Sequence, residues 1–345
     1  MPDTCRVSTS RTLPDWGEYL SRHPHATVYH DPRWGEVMAG SYGNEPLYLS
    51  AWRQERVVGV LLLISQKSLL FGRHLSSVPY FDAAGILADD DAARNALTFE
   101  ARRIMGELKA KWVELRQMNP LPDPAPPVRT DKVTLQLQLP DASEALWDQL
   151  RAKVRNQVRK ATRSGLACVR GGAELLTEFH AVYARNMRDL GSPPHSLRFF
   201  RRIAEALPGA VRIFIVRQRD RPVGSSFTLS DRHAARVPWA GSDWRFRDLC
   251  PTMLLYWEML ADSCDRAAGL FDFGRSTRNA GTYQFKKQWG SQEVPLYWHY
   301  LLAEGQDPPG LRPDSPKYRF LVACWKKLPV WMVRVIGPRL IGKLS

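Results

Sequence analysis

The sequence predicts a mixed α/β fold laid out twice in tandem, and three recurrences carry that expectation. ERVVG (55–59) and DRPVG (220–224) each follow a β-rich run, PLYLSAW or VRIFIV, and each leads into another, VLLLI or SSFTL. Both read as a hairpin with a charged turn and a returning strand. A Val-Pro-aromatic step then recurs as VPY (78–80) and VPW (237–239). Finally, Val78 and Arg116, and Val237 and Arg275, both lie 38 positions apart, and each interval holds a helix-like segment, 90–110 or 251–268, before a short strand, WVEL or LFDF. Self-similarity at a fixed offset is what duplication of a structural unit leaves in a chain.

At 345 residues, with 44% hydrophobic and 24% charged, the chain has material for two domains with packed cores. That composition excludes disordered, collagenous and coiled-coil classes. NPLPDPAPPV (119–128) places five prolines in ten residues and reads as a connector, because proline fixes φ and cannot donate to a sheet. After it, Val133, Leu135, Leu137 and Leu139 alternate with polar residues, a strand pattern that sets the domain boundary near residue 140. The expected organisation is a first domain over 1–140, a second over 141–305 and a tail over 306–345. A helix is predicted over 143–164, with Leu146, Leu150, Val154, Val158 and Ala161 on one stripe and Arg151, Arg155 and Arg159 on another. Further helices are expected over 174–190, where Leu176, Phe179, Tyr183 and Met187 keep helical spacing, and over 196–207. This order of helices and strands matches the acyltransferase unit known as the GNAT fold, present twice.

Lys and Arg number 49 against 35 Asp and Glu, a net charge of +14, and two segments account for it. Residues 151–163 hold six basic residues and residues 317–345 seven, with no acid in either; without those thirteen the chain carries 36 basic and 35 acidic residues. Such localised positive fields suit an anionic partner: phosphate, nucleic acid or anionic lipid. Five widely spaced cysteines without a C-x-x-C pair indicate a reducing compartment and no disulfide framework or zinc site, and no metal site is expected elsewhere. The opening MPDTCRVSTSRTLPDW has no apolar core of the signal-peptide kind, and the longest apolar run, 57–64, is too short to span a bilayer. A cytoplasmic protein, peripheral at most to the inner face of the membrane, is expected.

The densest chemical signal is GTYQFKKQWG (281–290), which joins Tyr283, Phe285 and Trp289 to the adjacent lysines Lys286 and Lys287. Adjacent helical residues point about 100° apart, so one lysine at most enters a pocket. Just upstream, FDFGRST (271–277) places Asp272 and Arg275 around a glycine at a strand end. These residues serve equally as an aromatic turn with a surface ion pair.

GTYQFKKQWG resembles the G-x-Y-x-F-K-x-x-[FW]-G segment of FemAB-type aminoacyltransferases, and VRNQVRKATRSG (154–165) is similar to their R-x-x-[IV]-R-K-A pattern. VYHDPRWGEVM, VPYFDAAGILADD, ARNMRDLGSP and FDFGRST look more narrowly like the FemAB-like branch found beside exosortase and exopolysaccharide genes. The resemblance covers most of residues 15–300 and implies tandem GNAT-like domains that transfer an aminoacyl or acyl group to an amine on a cell-envelope or exopolysaccharide precursor, a glycan or a peptide. Phe285 and Lys286 fall on the family's F-K pair, which implies a transfer-step role for Lys286, whose ammonium suits a developing oxyanion. Asp82 falls where the family has an acidic residue near the acceptor; it can take a proton from the attacking amine or serve as a structural cap. Tyr80, Trp239, Asp272, Arg275 and Tyr283 are expected to line the cleft. Arg151, Arg155 and Arg159 are expected either to contact phosphates of a tRNA or nucleotide-linked acceptor, or to form a solvated face.

No tightly bound cofactor is expected, and the acyl donor is an aminoacyl-tRNA or an acyl thioester. No long charged insertion of the kind that accompanies tRNA use is present, and SDWRFRDLCPTMLLYW (242–257) lacks the glycine-rich turn that cradles a CoA pyrophosphate at a helix N-terminus. LADDDAARNAL (87–97) is acidic and repels one. Two rival readings stand beside the first: a CoA-dependent GNAT enzyme with an atypical donor loop, and a catalytically inactive membrane-peripheral module. His195, in SPPHS, is expected to cap a helix. The tail 317–345 reads either as short amphipathic segments on an anionic membrane or as helices packed on the core.

Overall fold

Residues 5–68, 72–122, 125–309 and 316–344 are described in this computed structural model. They sort into one unit of Met1–Lys132, Pro295–Gly310 and Gly342–Ser345, and a second of Val133–Val294 and Leu311–Ile341. The first unit runs through β1 (Arg6–Ser10), α1 (Gly17–Arg22), α2 (Trp34–Tyr42), β2 (Glu45–Arg53), β3 (Arg56–Ser68), β4 (Gly72–Ser77), β5 (Leu87–Ala88), α3 (Asp91–Glu107), β6 (Trp112–Gln117) and β7 (Val128–Arg129). In the second follow β8 (Lys132–Gln138), α4 (Ser143–Gln149), α5 (Ala152–Arg163), β9 (Leu166–Gly171), α6 (Leu176–Leu190), α7 (Leu197–Ala206), β10 (Val211–Gln218), β11 (Arg221–Ser230) and β12 (Ala234–Ser242). It continues with α8 (Pro251–Asp265), β13 (Leu270–Thr277), α9 (Gly281–Lys287) and β14 (Gln292–Pro295). β15 (Tyr297–Leu302) returns to the first unit, and α10 (Pro316–Lys327) and α11 (Val330–Leu344) end the described chain.

Strand order is β1-β2-β3-β4-β6-β15-β7 in one sheet, with β5 on β3, and β14-β8-β13-β12-β11-β10-β9 in the other. Within these, β1, β2, β3, β4, β6 and β9, β10, β11, β12, β13 are the same series: three antiparallel pairings and then a parallel one. A parallel neighbour needs a crossover, which α3 and α8 supply. The duplication holds down to single residues. Gln54 and Arg219 open the two hairpin turns with left-handed φ of 55° and 54°. Each returning strand then skips one residue of register, Val58 or Val223, directly before Gly59 or Gly224. Both crossover helices also end alike, on Lys109 and Ala267 at φ of 51° and 56°, with the amide of Ala110 donating to Met105 O and that of Ala268 to Ser263 O.

Each sheet buries one face under its crossover helix. Ala93, Leu97, Ala101 and Ile104 of α3 cover Leu49, Leu61, Leu63 and Val113, and α8 covers the second sheet with Leu255, Met259 and Leu260 against Phe214, Phe271 and Phe273. α3 starts where the Asp90 carboxylate accepts the Ala93 amide at 2.9 Å, a cap worth about 1 kcal/mol.

Several expectations change. The helix expected over 143–164 is two: Leu150 and Arg151 adopt extended backbone, at ψ of 141° and 142°, and separate α4 from α5. Its apolar stripe is nonetheless buried in one core, because both short helices pack against α8. The first unit ends at Lys132 rather than near 140: Val133 and Leu135 of β8 are buried in the second core. Alternation shows that one face of a strand is buried, not against which core. Residues 295–310 rejoin the first unit through β15, which pairs with β6. The tail expected over 306–345 is no separate segment: 306–309 go with the first unit, and 316–341 belong to the second, with Val333 fully buried and Trp325 Nε1 donating to Ser192 O at 3.1 Å.

Trp239, expected in a cleft, is buried in an aromatic cluster with His195, Phe199, Phe200 and Phe227. His195 does not cap α7; the Ser196 hydroxyl does, accepting the Phe199 amide at 3.1 Å. Burial pushes the His195 imidazole down to about 3, and also lowers His180, whose Nε2 lies 3.0 Å from His195 O. Below the ordinary value of 6.5 the unfolded chain binds a proton that folded His195 refuses. Stability present above that pH is therefore lost as pH falls from 6.5 toward 3, at up to about 1.4 kcal/mol per pH unit. Melting curves between pH 7.5 and 5 should show the decline, and His195→Phe should flatten it; an unchanged slope removes the assignment.

Candidate functional site

The repeated Val-Pro step marks the place where the parallel strands of each unit part. In the second unit β12 and β13 pair only from Ala234 to Arg236 and from Leu270 to Asp272, although the strands run on to Ser242 and Thr277. Val237 and Pro238 form a bulge there, two residues opposite Thr228 of β11. Proline has no amide to give a ladder, so it suits a strand at the point where pairing stops. In the first unit β4 and β6 pair at Leu75–Val113 and Ser76–Glu114, and Val78 and Pro79 follow at once.

The two forks differ in what occupies them. In the first unit the chain's own segment Phe81–Gly85 lies against the end of β6. Arg116 Nη1 donates to Phe81 O at 2.8 Å, Trp298 Nε1 donates to Asp82 O at 3.2 Å, and a Cβ at Gly85 would fall 2.5 Å from the Gln117 side chain. Arg116 is itself held by Glu114, Nε to Oε1 at 2.5 Å, and stacks 4.6 Å from the Trp298 ring centre. Burial opposes ionisation of Glu114, but Arg116 and the Tyr300 hydroxyl, at 3.0 Å, hold its carboxyl below the ordinary range. Leading into this segment, Val78 and Tyr80 take left-handed φ of 39° and 77°, strained backbone for residues with side chains. Tyr80 and Asp82 thus sit half-buried on a strained loop fixed by a buried ion pair.

The fork of the second unit has a cation at its edge. Lys286 on α9 is 8% exposed, and its Nζ donates to Gly274 O at 2.7 Å and Arg275 O at 2.9 Å. Successive strand carbonyls normally point to opposite sides; the left-handed φ of 75° at Gly274 breaks the alternation and turns two toward one ammonium. Asp272 holds that turn: its Oδ1 accepts the Gly274 amide at 2.8 Å and the Thr134 hydroxyl, and its Oδ2 accepts Gln136 Nε2 at 3.0 Å. Asp272 is therefore a clamp between β8 and β13, not a cleft-lining group, and FDFGRST is the platform on which Lys286 rests. Tyr283 donates its hydroxyl to Glu293 at 2.9 Å, and Arg278 pairs with the other oxygen at 2.8 Å. Phe285 stands edge-on to Tyr256 at 5.0 Å in the core beneath. Lys287, half-buried, faces elsewhere, as adjacent helical positions require.

Sequence reasoning missed Ser276. It is 4% exposed on β13, next to the carbonyls that hold Lys286, and its hydroxyl has no hydrogen-bond partner among the described residues. Nothing in a single serine of a strand announces this. Cys168 and Cys264 offer no thiolate, since burial pushes them up to about 12 and about 11.

Of the three arginines expected to meet phosphate, Arg155 donates to Trp147 O and Asp148 O at the end of α4, at 3.4 and 3.1 Å, and Arg159 lies over the Trp147 ring at 5.4 Å. Arg151 is exposed. Breaking the helix brought the carbonyl end of α4 within reach of Arg155, which a continuous helix would not expose. At the start of α8 the glycine-free loop is a turn of 3-10 helix over Trp244–Leu249, and three amides here are engaged within the loop: Arg245 N on the Asp243 carboxylate, Phe246 N on Asp243 O, Cys250 N on Arg247 O. Pro251 has no amide, and Met253 N is on Cys250 O. At α3 the Asp90 carboxylate fills the equivalent position.

Two sheets of this topology, each with a parallel pair that parts beyond its crossover helix, define a tandem GNAT fold. Residues 148–287 match the family model described as an acetyltransferase (GNAT) domain. Among solved structures, the chain is similar to the crystal structure of FemX at 16% identity, over 85% of this chain and 97% of that one, with a TM-score of 0.64. A tandem GNAT protein from the clavulanic acid biosynthesis pathway is similar at 11% identity, over 88% and 100%, with a TM-score of 0.53. The C-terminal domain (DUF2156) of a lysylphosphatidylglycerol synthetase candidate from Agrobacterium fabrum is similar at 10%, over 77% and 87%, with a TM-score of 0.55. No curated protein matches the chain.

Proposed function

We propose that the protein is a FemAB-like acyltransferase that moves an aminoacyl or acyl group onto an amine of a cell-envelope or exopolysaccharide precursor. The observation that carries this reading is the parting of β12 from β13 after Asp272, with Lys286 buried on the β13 carbonyls just beyond. In the proposed reaction the acceptor nitrogen bonds to the donor carbonyl carbon, the ester or thioester bond breaks, and the amine proton leaves to a base while the departing oxygen or sulfur takes up a proton. Lys286 Nζ already donates hydrogen bonds to two carbonyls, so its proposed part is to fix the end of β13 and to place positive charge beside the developing oxyanion. Asp82 is proposed as the carboxylate toward the acceptor amine. Ser276, with its unsatisfied hydroxyl, is proposed as a substrate contact, because a bound polar group would relieve it.

The test is incubation of purified protein with aminoacyl-tRNAs, acyl-CoAs and precursor glycans and peptides, with mass spectrometry of the products. An amide-linked acyl mass on a precursor supports the reading; absence of transfer from every donor class by folded protein defeats it. Because Pro251 has no amide and those of Arg245, Phe246, Cys250 and Met253 near the start of α8 are engaged within the chain, CoA and acetyl-CoA are expected to show no micromolar binding in calorimetry. Micromolar binding that competes with substrate would favour the CoA-dependent alternative.

A further inference from the structure

The second unit carries a cavity of about 360 Å³ lined by Arg185, Arg221, Arg334, Asp243 and Trp331 with aliphatic neighbours. Asp243, 3% exposed, is the only acid in the lining and is already shared: Arg245 binds it at 2.5 Å through Nη2, and Arg185 and Arg221 approach to 3.5 and 3.6 Å. Burial, and then the charge of Arg245, push Arg185 below the ordinary arginine range. Three cationic walls and one neutralised carboxylate leave a surplus of positive charge in a concave site, which suits a phosphate group.

Trp331 and Arg334 reach this cavity from α11, and α10 and α11 both expose large apolar side chains. Phe320 is 68% exposed, Leu321 57%, Trp331 67% and Val335 55%. Arg319, Lys326, Lys327, Arg334 and Arg339 are exposed on the same two helices, and residues 316–344 contain no acid. The opposite side of the pair is fixed to the unit: Val333 is fully buried, a Cβ at Gly337 would fall 2.5 Å from Pro194, and Trp325 donates to Ser192 O. Among the described residues no helix is long and apolar enough to cross a membrane.

We propose that the second unit docks on an anionic phospholipid bilayer through α10 and α11, with a lipid phosphate seated in the Arg185–Arg221–Arg334 cavity. Aromatic and branched side chains ringed by cations and free of acids are the pattern that enters the headgroup boundary. The same face explains why a phosphate from lipid, rather than from a free anion, is the occupant: a free anion needs no exposed apolar rim.

The test is sedimentation of full-length protein with phosphatidylglycerol–phosphatidylcholine vesicles and with pure phosphatidylcholine vesicles at low salt. Binding is expected only to the anionic vesicles and should weaken as salt rises. Arg334→Ala and Arg221→Ala should each lower partitioning about fivefold, the loss expected for one cation at the surface. Trp331→Ala should lower it about tenfold through lost insertion. These side chains are exposed or face the cavity, so melting temperatures should stay near wild type and separate docking from folding. Failure to sediment at low salt, equal binding to neutral vesicles, or wild-type partitioning of Arg334→Ala and Trp331→Ala overturns the docking surface. Undiminished binding of Arg221→Ala overturns the phosphate seat. Displacement of vesicles by millimolar inorganic phosphate alone would assign the cavity to a free anion instead.

Discussion

Lys286→Ala is expected to lower turnover by about 10²-fold or more, the scale of losing one preorganised charge at an oxyanion, while Lys287→Ala changes it little. The two lysines are neighbours in sequence and opposite in environment: one buried on the carbonyls of Gly274 and Arg275, the other half-buried without that contact. Removing Lys286 also leaves those two carbonyls without their donor, at about 1–3 kcal/mol for each that stays buried, so a purely structural explanation must be separated. A loss in kcat at unchanged KM marks an interaction made in the transition state. Lys286→Arg, which keeps the cation, should recover part of the rate. Equal losses in both alanine variants at unchanged melting temperature, or a change confined to KM, would remove Lys286 from the transfer step.

Arg116→Leu is expected to cost about 3–5 kcal/mol, because it strands a buried carboxylate. The side chains of Glu114 and Arg116 are only 12% and 11% exposed, and Arg116 also ties Phe81 O to the strand end. Its loss frees the loop on which Val78 and Tyr80 hold left-handed backbone, so that strain is no longer opposed. The double variant Glu114→Gln with Arg116→Leu should be substantially more stable than Arg116→Leu alone, since the unpaired charge goes with its partner. Urea denaturation of the two singles and the double gives the coupling. A single-variant cost below about 1 kcal/mol would show that the pair is solvated and does not secure the loop.

The duplicated plan was legible because local chemistry repeats: a charged two-residue turn before Gly59 and Gly224, a Val-Pro step, and a helix of fixed offset before a strand. Each of these acts on its own backbone neighbours, so one copy informs the other. The GTYQFKKQWG segment was equally legible as a place, since Lys286 and the aromatics behind it come together within one helix.

What each residue touches was not. Asp272 and Trp239 carry cleft-like chemistry in the sequence, yet one clamps Thr134 and Gln136 and the other fills an aromatic core. The alternation of Val133 and Leu135 fixed a buried face without naming the core that buries it, and so misplaced the boundary. The stripe from Leu146 to Ala161 survived the break at Leu150, which is why periodicity could not report it. The arginine cavity gathers α6, the start of β11, the loop after β12 and α11, four segments that the chain order keeps apart. Sequence alone determined the tandem α/β plan and the recurrence of the Val-Pro step; tertiary structure decided that strands part there, which carboxylates are clamps, where the chain crosses between units and which arginines meet. Turns and periodicity depend on neighbours along the chain, whereas burial and pairing depend on partners brought in from elsewhere.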